Sequence, residues 1–246
     1  VASTGTKLTP SLELDDAYSG GTSLKITGTL DAPNDLKLYA ASLPVSATTK
    51  FRLVYKSSQG TGATSMTVAL SFEDAPSTLT YFDVGNAGAT GWRTFDVSLA
   101  AFAGKRIATI GLRFENAAVV SGYQMRIGRI AVLDGAVATP AAATNVRVVR
   151  QDPINNDTLA VRLKWDASAT AGIYYYQIIQ RFPDNTRKWL GATPGNAFYL
   201  PAARRKGAET SLTFEVQAVG ADFGISPVAS LSVALPAAPD TTYRLT

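Results

Sequence analysis

Apolar side chains in this chain return at every second residue, stretch after stretch, and no window shows the three-to-four spacing of an amphipathic helix. Phe51, Leu53 and Tyr55 alternate with Arg52, Val54 and Lys56, and Met66, Val68, Leu70 and Phe72 alternate with small or polar neighbours. Ile110, Leu112 and Phe114 alternate with Gly111 and Arg113. A period of two places alternate side chains on opposite faces of a strand, so each stretch has one face to bury and one to leave open. Further strands are expected over Leu36–Leu43, Thr78–Val84, Trp92–Leu99 and Tyr123–Leu133. In the last of these Gly128 shifts the apolar phase from Met125 and Ile127 to Ile130 and Val132, the mark of a β-bulge. About eight or nine such strands satisfy their apolar faces by forming two antiparallel sheets packed together.

The pattern breaks at Asp134-Gly-Ala-Val-Ala-Thr-Pro-Ala-Ala-Ala143, a run of small residues with a proline that reads as a linker. It resumes with Val146 and Val148, then Leu159, Val161, Leu163 and Trp165 with Arg162 and Lys164 on the other side. Tyr174–Arg181, Arg187–Ala192, Ala197–Leu200, Ser211–Val219 and Val228–Leu235 follow. Seven short strands with a tryptophan late in the second suit an immunoglobulin-like sandwich. The expected organisation is therefore all-β: a jelly-roll domain over 1–135, an immunoglobulin-like domain over 141–236, and a tail or linker over 237–246. The absence of an initial methionine suggests a mature or excised piece of a longer protein.

Composition narrows the chemistry. The chain has no cysteine and no histidine, which removes disulfides, thiolate nucleophiles, the usual zinc ligands and every Ser-His-Asp or Cys-His arrangement. Its glutamates, Glu13, Glu73, Glu115, Glu209 and Glu215, lie in strands or at strand ends, and no two form a glycosidase acid/base motif. Composition thus argues against an enzyme. Net charge is +4, but the basic residues are scattered, and the one cluster, Arg204-Arg205-Lys206, reads as a solvated turn rather than a nucleic-acid face. No run of about 18 apolar residues is present to span a membrane. The lack of cysteine fits a bacterial protein of any compartment, and a secreted or cell-surface setting is expected.

The stretch Ser11-Leu-Glu-Leu-Asp-Asp-Ala-Tyr-Ser-Gly-Gly-Thr-Ser-Leu-Lys-Ile26 reads as strand, acidic-aromatic-glycine turn, strand. Such an opening is similar to that of the jelly rolls that accompany carbohydrate-active enzymes. Leu163-Lys-Trp165-Asp-Ala-Ser168, Tyr174 to Ile178, Phe214-Glu-Val-Gln-Ala-Val219 and Gly224-Ile-Ser-Pro227 resemble a fibronectin type III domain, with Phe214 where such domains often carry a corner tyrosine. The first block resembles a galactose-binding-like jelly roll. Together with Leu36-Lys-Leu-Tyr39 and Ile127-Gly-Arg-Ile-Ala-Val132, the arrangement resembles the non-catalytic C-terminal region of family 85 endo-β-N-acetylglucosaminidases. That resemblance implies an accessory carbohydrate-binding or structural region of a glycoside hydrolase acting on N-glycans. Catalysis would lie in a preceding barrel that uses an Asn and Glu pair and the substrate's acetamido group. No catalytic residue carries over to this chain. Its partners would be a glycan or the catalytic barrel of the same parent. Two other readings stay open: a purely structural scaffold packed on that barrel, and an adhesin-like surface module.

Two kinds of site are expected in the first block. No cofactor is required, but related jelly rolls often hold a structural calcium ion. Glu13, Asp15 and Asp16, with Asp134 approaching from the last strand, offer hard oxygen ligands for one. The alternative is an acidic turn that fixes only its own backbone. A sugar site calls for aromatic faces with planar polar groups beside them. Trp92, Tyr81, Tyr18 and Tyr123 supply the first, and Asn86 and Arg93, with Asp83, Glu115 and Asn116, the second. Trp92 follows a glycine-rich loop and could equally pack on the core. Trp165 belongs between the sheets, and the alternation of Tyr174-Tyr-Tyr176 turns at least one ring outward.

Overall fold

The computed structural model describes residues 8–30, 33–57, 64–86, 91–116, 119–135 and 138–235; the tail expected over 237–246 lies outside them. The chain forms two compact units, one of residues 1–13 and 22–136, the other of residues 14–21 and 137–246. The short segment 14–21, which the sequence pattern assigns to the first block, is thus part of the second unit.

Among the described residues nine strands build the first unit: β1 (Leu8–Glu13), β2 (Ser23–Leu30), β3 (Asn34–Pro44), β4 (Thr49–Ser57), β5 (Thr64–Phe72), β6 (Ala75–Asn86), β7 (Arg93–Ser98), β8 (Arg106–Asn116) and β9 (Val120–Asp134). They pair antiparallel in two sheets, ordered β1-β2-β9-β4-β7 and β3-β8-β5-β6. The period-two pattern decides which faces meet. Phe51, Leu53 and Tyr55 of the first sheet and Met66, Val68, Leu70, Leu112 and Phe114 of the second are all buried in one core. Burying such side chains contributes about 1.5–3 kcal/mol each and is the main force holding the sheets face to face. The Gly128 bulge is present: Val54 pairs with Arg129 and Tyr55 with Ile127, leaving Gly128 unpaired between them. After β7 a short 3-10 turn, Ala100–Phe102, lays Phe102 flat on Phe72 with 4.6 Å between ring centroids.

Among the described residues the second unit has seven strands, β10 (Thr144–Asn155), β11 (Thr158–Asp166), β12 (Ile173–Arg181), β13 (Arg187–Thr193), β14 (Ala197–Arg204), β15 (Ser211–Gly220) and β16 (Ala229–Ala234). Sheets β10-β11-β14 and β13-β12-β15-β16 make the immunoglobulin-like sandwich that the pattern implies. Leu159, Val161, Leu163 and Trp165 line one side of the core and Ile178, Phe214, Val216 and Ala218 the other. Trp165 is fully buried, its ring 5.4 Å from that of Tyr176. The Tyr176 hydroxyl in turn accepts the Ser168 backbone N–H at 2.9 Å. Phe214 is also fully buried, so at the corner position a phenyl ring contributes packing where a tyrosine would contribute a hydrogen bond.

The outward side of β13-β12-β15-β16 carries polar residues, yet Gln177, Gln217, Glu215 and Arg187 are all buried. Buried polar groups need partners, and here they form a connected set. Arg187 donates from Nε to Glu215 at 2.9 Å and from Nη2 to Gln217 at 2.8 Å. Gln217 also accepts from Gln177 Nε2 at 3.1 Å and donates to the Ser226 carbonyl at 2.9 Å. Segment 14–21 closes over this set. The Ala17 N–H donates to the Arg187 carbonyl at 2.9 Å, and the Tyr18 ring lies 5.9 Å from the Arg187 guanidinium carbon. Gly21 has a φ of +83°, and a Cβ there would come within 3.2 Å of Trp189, so both conformation and space call for glycine.

Two stability tests follow from these cores. Trp165→Ala is expected to cost about 3–5 kcal/mol, close to the whole stability of a small domain, and calorimetry should show the second unit's transition lost or strongly lowered. Arg187→Ala strands the buried Glu215 carboxylate with Arg181, 3.1 Å away, as its remaining ionic partner. A loss of about 3 kcal/mol in chemical denaturation is expected.

Candidate functional site

Of the four carboxylates expected to hold calcium, Glu13 and Asp134 of the first unit lie far apart. Glu13 is taken by Lys25 and Arg126, each at 3.2 Å. Leu12 pairs with Leu24 and Leu24 with Ile127, so Glu13 sits level with the middle of β9. Asp134 ends that strand, roughly 20 Å further along at 3.3 Å per residue. There Asp134 accepts hydroxyls from Ser46, from Thr48 at 2.7 Å and from Thr49 at 3.4 Å. Asp15 and Asp16 belong to the second unit. Asp16 is buried and accepts the Arg187 backbone N–H at 3.4 Å, while Asp15 is exposed. Among the described residues no three His, Cys, Asp or Glu side chains are placed to hold a metal. The acidic turn instead docks on the Arg187 backbone, through the Asp16 carboxylate and the Ala17 N–H.

The sugar candidates are likewise dispersed. Tyr123 is buried in the first core, edge-on to Phe114 at 5.6 Å, so it is packing and not a platform. Tyr18 lies in the second unit against Arg187. Trp92 is half-buried just ahead of β7, and Arg93 is exposed at its start, paired with Tyr55. The side chains of Asn86, Glu115 and Asn116 lie outside the described residues. Tyr81 stands apart. It is 42% exposed on β6, five residues from Asn86.

Around Tyr81 the open face of β3-β8-β5-β6 supplies a coherent surface. Leu36 and Leu38 pack on the core, so Asp35, Lys37 and Tyr39 of β3 point the other way. The same logic turns Arg113, Gly111 and Thr109 of β8, Thr67 and Ala69 of β5, and Asp83 and Tyr81 of β6 outward. The register aligns them in rows: Asp35, Arg113, Thr67 and Asp83 across one level, Lys37, Gly111, Ala69 and Tyr81 across the next. Arg113 donates to the Tyr81 hydroxyl at 2.9 Å, with its guanidinium carbon 5.0 Å from the ring centroid, and reaches Asp35 at 3.5 Å. This fixes the aromatic ring beside a planar cation and a carboxylate. Between them Gly111, Ala69 and Thr109 are buried and border, with Leu79, a recess of only about 10 Å³. A Cβ on Gly111 would lie 2.8 Å from the Leu36 carbonyl oxygen, so the position calls for glycine. An exposed ring with hydrogen-bonding groups of both signs on an open sheet face is the chemistry a sugar ring calls for. Arg113, Asp35, Lys37 and Tyr39 were not expected as site residues. The phase of Leu36 and Leu38 already turns the β3 members outward, but only pairing with β8 brings them to Tyr81.

Wild-type calorimetric traces with calcium and with chelator are expected to overlay, because the donors are dispersed and engaged; a calcium-dependent rise would show a site elsewhere. The hydroxyls on Asp134, that of Ser46 foremost, hold its carboxyl below the ordinary value of 3.8. Its folded-state pKa is depressed, so its contribution to stability is present above that value and is lost as pH falls below it. Acid titration of unfolding should show less acid-side loss in Asp134→Asn.

Residues 143–234 match the family described as GH85 endohexosaminidases, C-terminal domain. The chain is similar to the glycoside hydrolase domain of Endo-D from Streptococcus pneumoniae R6, with 25% identity and a TM-score of 0.58, over 95% of this chain and 36% of that one. A β-1,2-glucanase from Parabacteroides distasonis matches at 14% identity and a TM-score of 0.48, over 94% of this chain and 36% of that one. The FN1–FN3 domains of chicken CNTN1 match at 11% identity and a TM-score of 0.35, over 88% of this chain and 78% of that one. No curated protein sequence matches the chain. The chain spans about a third of the Endo-D and glucanase structures it matches. Over the matched residues the second unit resembles the C-terminal domain of the GH85 endohexosaminidases, which corresponds to an accessory domain rather than to their catalytic unit.

Proposed function

We propose that this chain serves a secreted or cell-surface bacterial endo-β-N-acetylglucosaminidase, that catalysis on N-glycans lies in a separate barrel of the parent, and that the first unit holds glycan on the open face of β3-β8-β5-β6. The family match over 143–234 and the likeness to Endo-D over 95% of the chain support the association. The observation that carries the binding role is the Tyr81–Arg113 pair, an exposed ring held at 2.9 Å by a guanidinium on the open face of the sheet. Packing against the barrel is a second role for the same region and is compatible with the first.

Two measurements test the reading. Calorimetric titration with a high-mannose oligosaccharide should detect binding, and Tyr81→Ala should weaken it about tenfold, or about 1.4 kcal/mol. That variant should keep its melting temperature, since Tyr81 is exposed. Undiminished binding in Tyr81→Ala would sink the assignment to this face. Incubated with a high-mannose glycopeptide, the chain alone is expected to release no oligosaccharide, and turnover that survives re-purification would contradict its accessory role.

A further inference from the structure

The two sheets of the second unit treat their outward faces differently. One is covered by segment 14–21; the other, β10-β11-β14, is open and basic. Leu159, Val161, Leu163 and Trp165 point into the core, which turns Arg162 and Lys164 outward. Across the strands Arg162 pairs with Arg150 on one side and Tyr199 on the other, and Lys164 pairs with Arg147. Four cations therefore share this face with two carboxylates. Asp166 is engaged by Arg147 at 3.2 Å and Asp152 by Arg150 at 2.6 Å. Among the described residues the Arg162 side chain has neither an ion-pair nor a hydrogen-bond partner. Like charges directly opposite each other in a sheet are destabilising, and in this pair the carboxylate of Asp152 serves Arg150 and leaves Arg162 unrelieved. The contrast with the basic cluster is direct: Arg205 meets Asp157, and Lys206 meets Asp184 at 2.8 Å.

Beside Arg162 the surface dips into a depression of about 290 Å³ lined by Arg150, Arg162, Ala197, Phe198 and Tyr199. Ala197 keeps it open, and Tyr199, 56% exposed, forms its aromatic wall. The volume falls at the lower limit of small-molecule sites and suits one sugar ring. A guanidinium fork matches the two oxygens of a carboxylate, and its planar donors distinguish that group from a point charge. We infer that this depression binds a carboxylate-bearing sugar, its acid group on Arg162 with Arg150 in support and its ring against Tyr199. The site is distinct from the Tyr81 face, and neither depends on the other.

The test uses the full chain and two-dimensional NMR, with sialyllactose as probe and lactose as its neutral counterpart. Sialyllactose should shift resonances of β11 and β14 around Arg162 and Tyr199, and lactose at the same concentration should not. Arg162→Ala should weaken binding at least about tenfold, as expected for losing a hydrogen bond to a charged group. Arg162→Lys should restore only part of the affinity, and Tyr199→Ala should also weaken it. Both positions are exposed, so thermal melts of the variants should match wild type and separate lost binding from lost fold. The inference is overturned by equal shifts with lactose, by shifts confined to residues around Tyr81, or by full displacement of sialyllactose by equimolar inorganic phosphate. The last result would mean that the face reads charge alone.

Discussion

Each sheet of this protein must bury one apolar face, and that single requirement leaves a second face whose fate differs from sheet to sheet. In the first unit the inward sides of β3-β8-β5-β6 and β1-β2-β9-β4-β7 form one core around residues such as Phe51, Leu70 and Phe114. The outward side of the first of these sheets keeps small residues at its centre and an aromatic-cation pair at its rim. In the second unit one outward face is covered and the other remains open with Arg162 at its middle. Strand alternation thus sets up both stability and the surfaces available for recognition, because a residue that cannot enter the core has only the outer face to occupy.

The covered face shows what closing such a surface demands. Arg187, Glu215, Gln177 and Gln217 have left bulk water, and taking a charge pair out of water costs several kcal/mol per ion before partners offset it. The offset here is collective. Arg187 meets Glu215 and Gln217 directly and reaches the Tyr18 carbonyl at 3.4 Å, so its donors serve both the sheet and the segment lying on it. A network of this kind fixes one arrangement more than it adds net stability, since a shifted segment would leave a buried donor or carboxylate unpaired. Asp16 and Ala17, among the most buried residues of segment 14–21, are held on the Arg187 backbone, Asp16 by its carboxylate and Ala17 by its N–H.

How much of this was readable from the residues depends on the range of the interaction. Strand positions were, because alternation is local: Leu159 to Trp165, Ser211 to Val219 and the phase slip at Gly128 each declare themselves within a few residues. The burial of Trp165 followed from the same logic. The carboxylates misled because sequence proximity of Glu13, Asp15 and Asp16 says nothing of which unit each joins, and Arg187, the group that organises Asp16, lies far away in the chain. Tyr123 misled for a related reason: a tyrosine suits both a core and a platform, and only its contact with Phe114 decides. Arg113 was visible as an outward residue, but its link to Tyr81 needs the β8-β5-β6 order, which no local pattern encodes.

The shape of the candidate faces also bears on how such a region would work. Both are shallow, and each offers one exposed tyrosine and a guanidinium rather than an enclosed pocket. Sites of that kind leave much of a ligand in water and can be expected to hold a single sugar weakly, because buried area and the number of satisfied polar groups limit the free energy available. A weak site gains leverage when it is tethered. On the proposed reading, in which the chain joins it to a catalytic barrel, it would raise the effective concentration of a bound glycan without any new contact. Weakness is then compatible with turnover, since a module that released its glycan slowly would hold product as firmly as substrate. On the proposed reading, shallow faces on rigid sandwiches are therefore a better fit to an accessory region than a deep pocket would be.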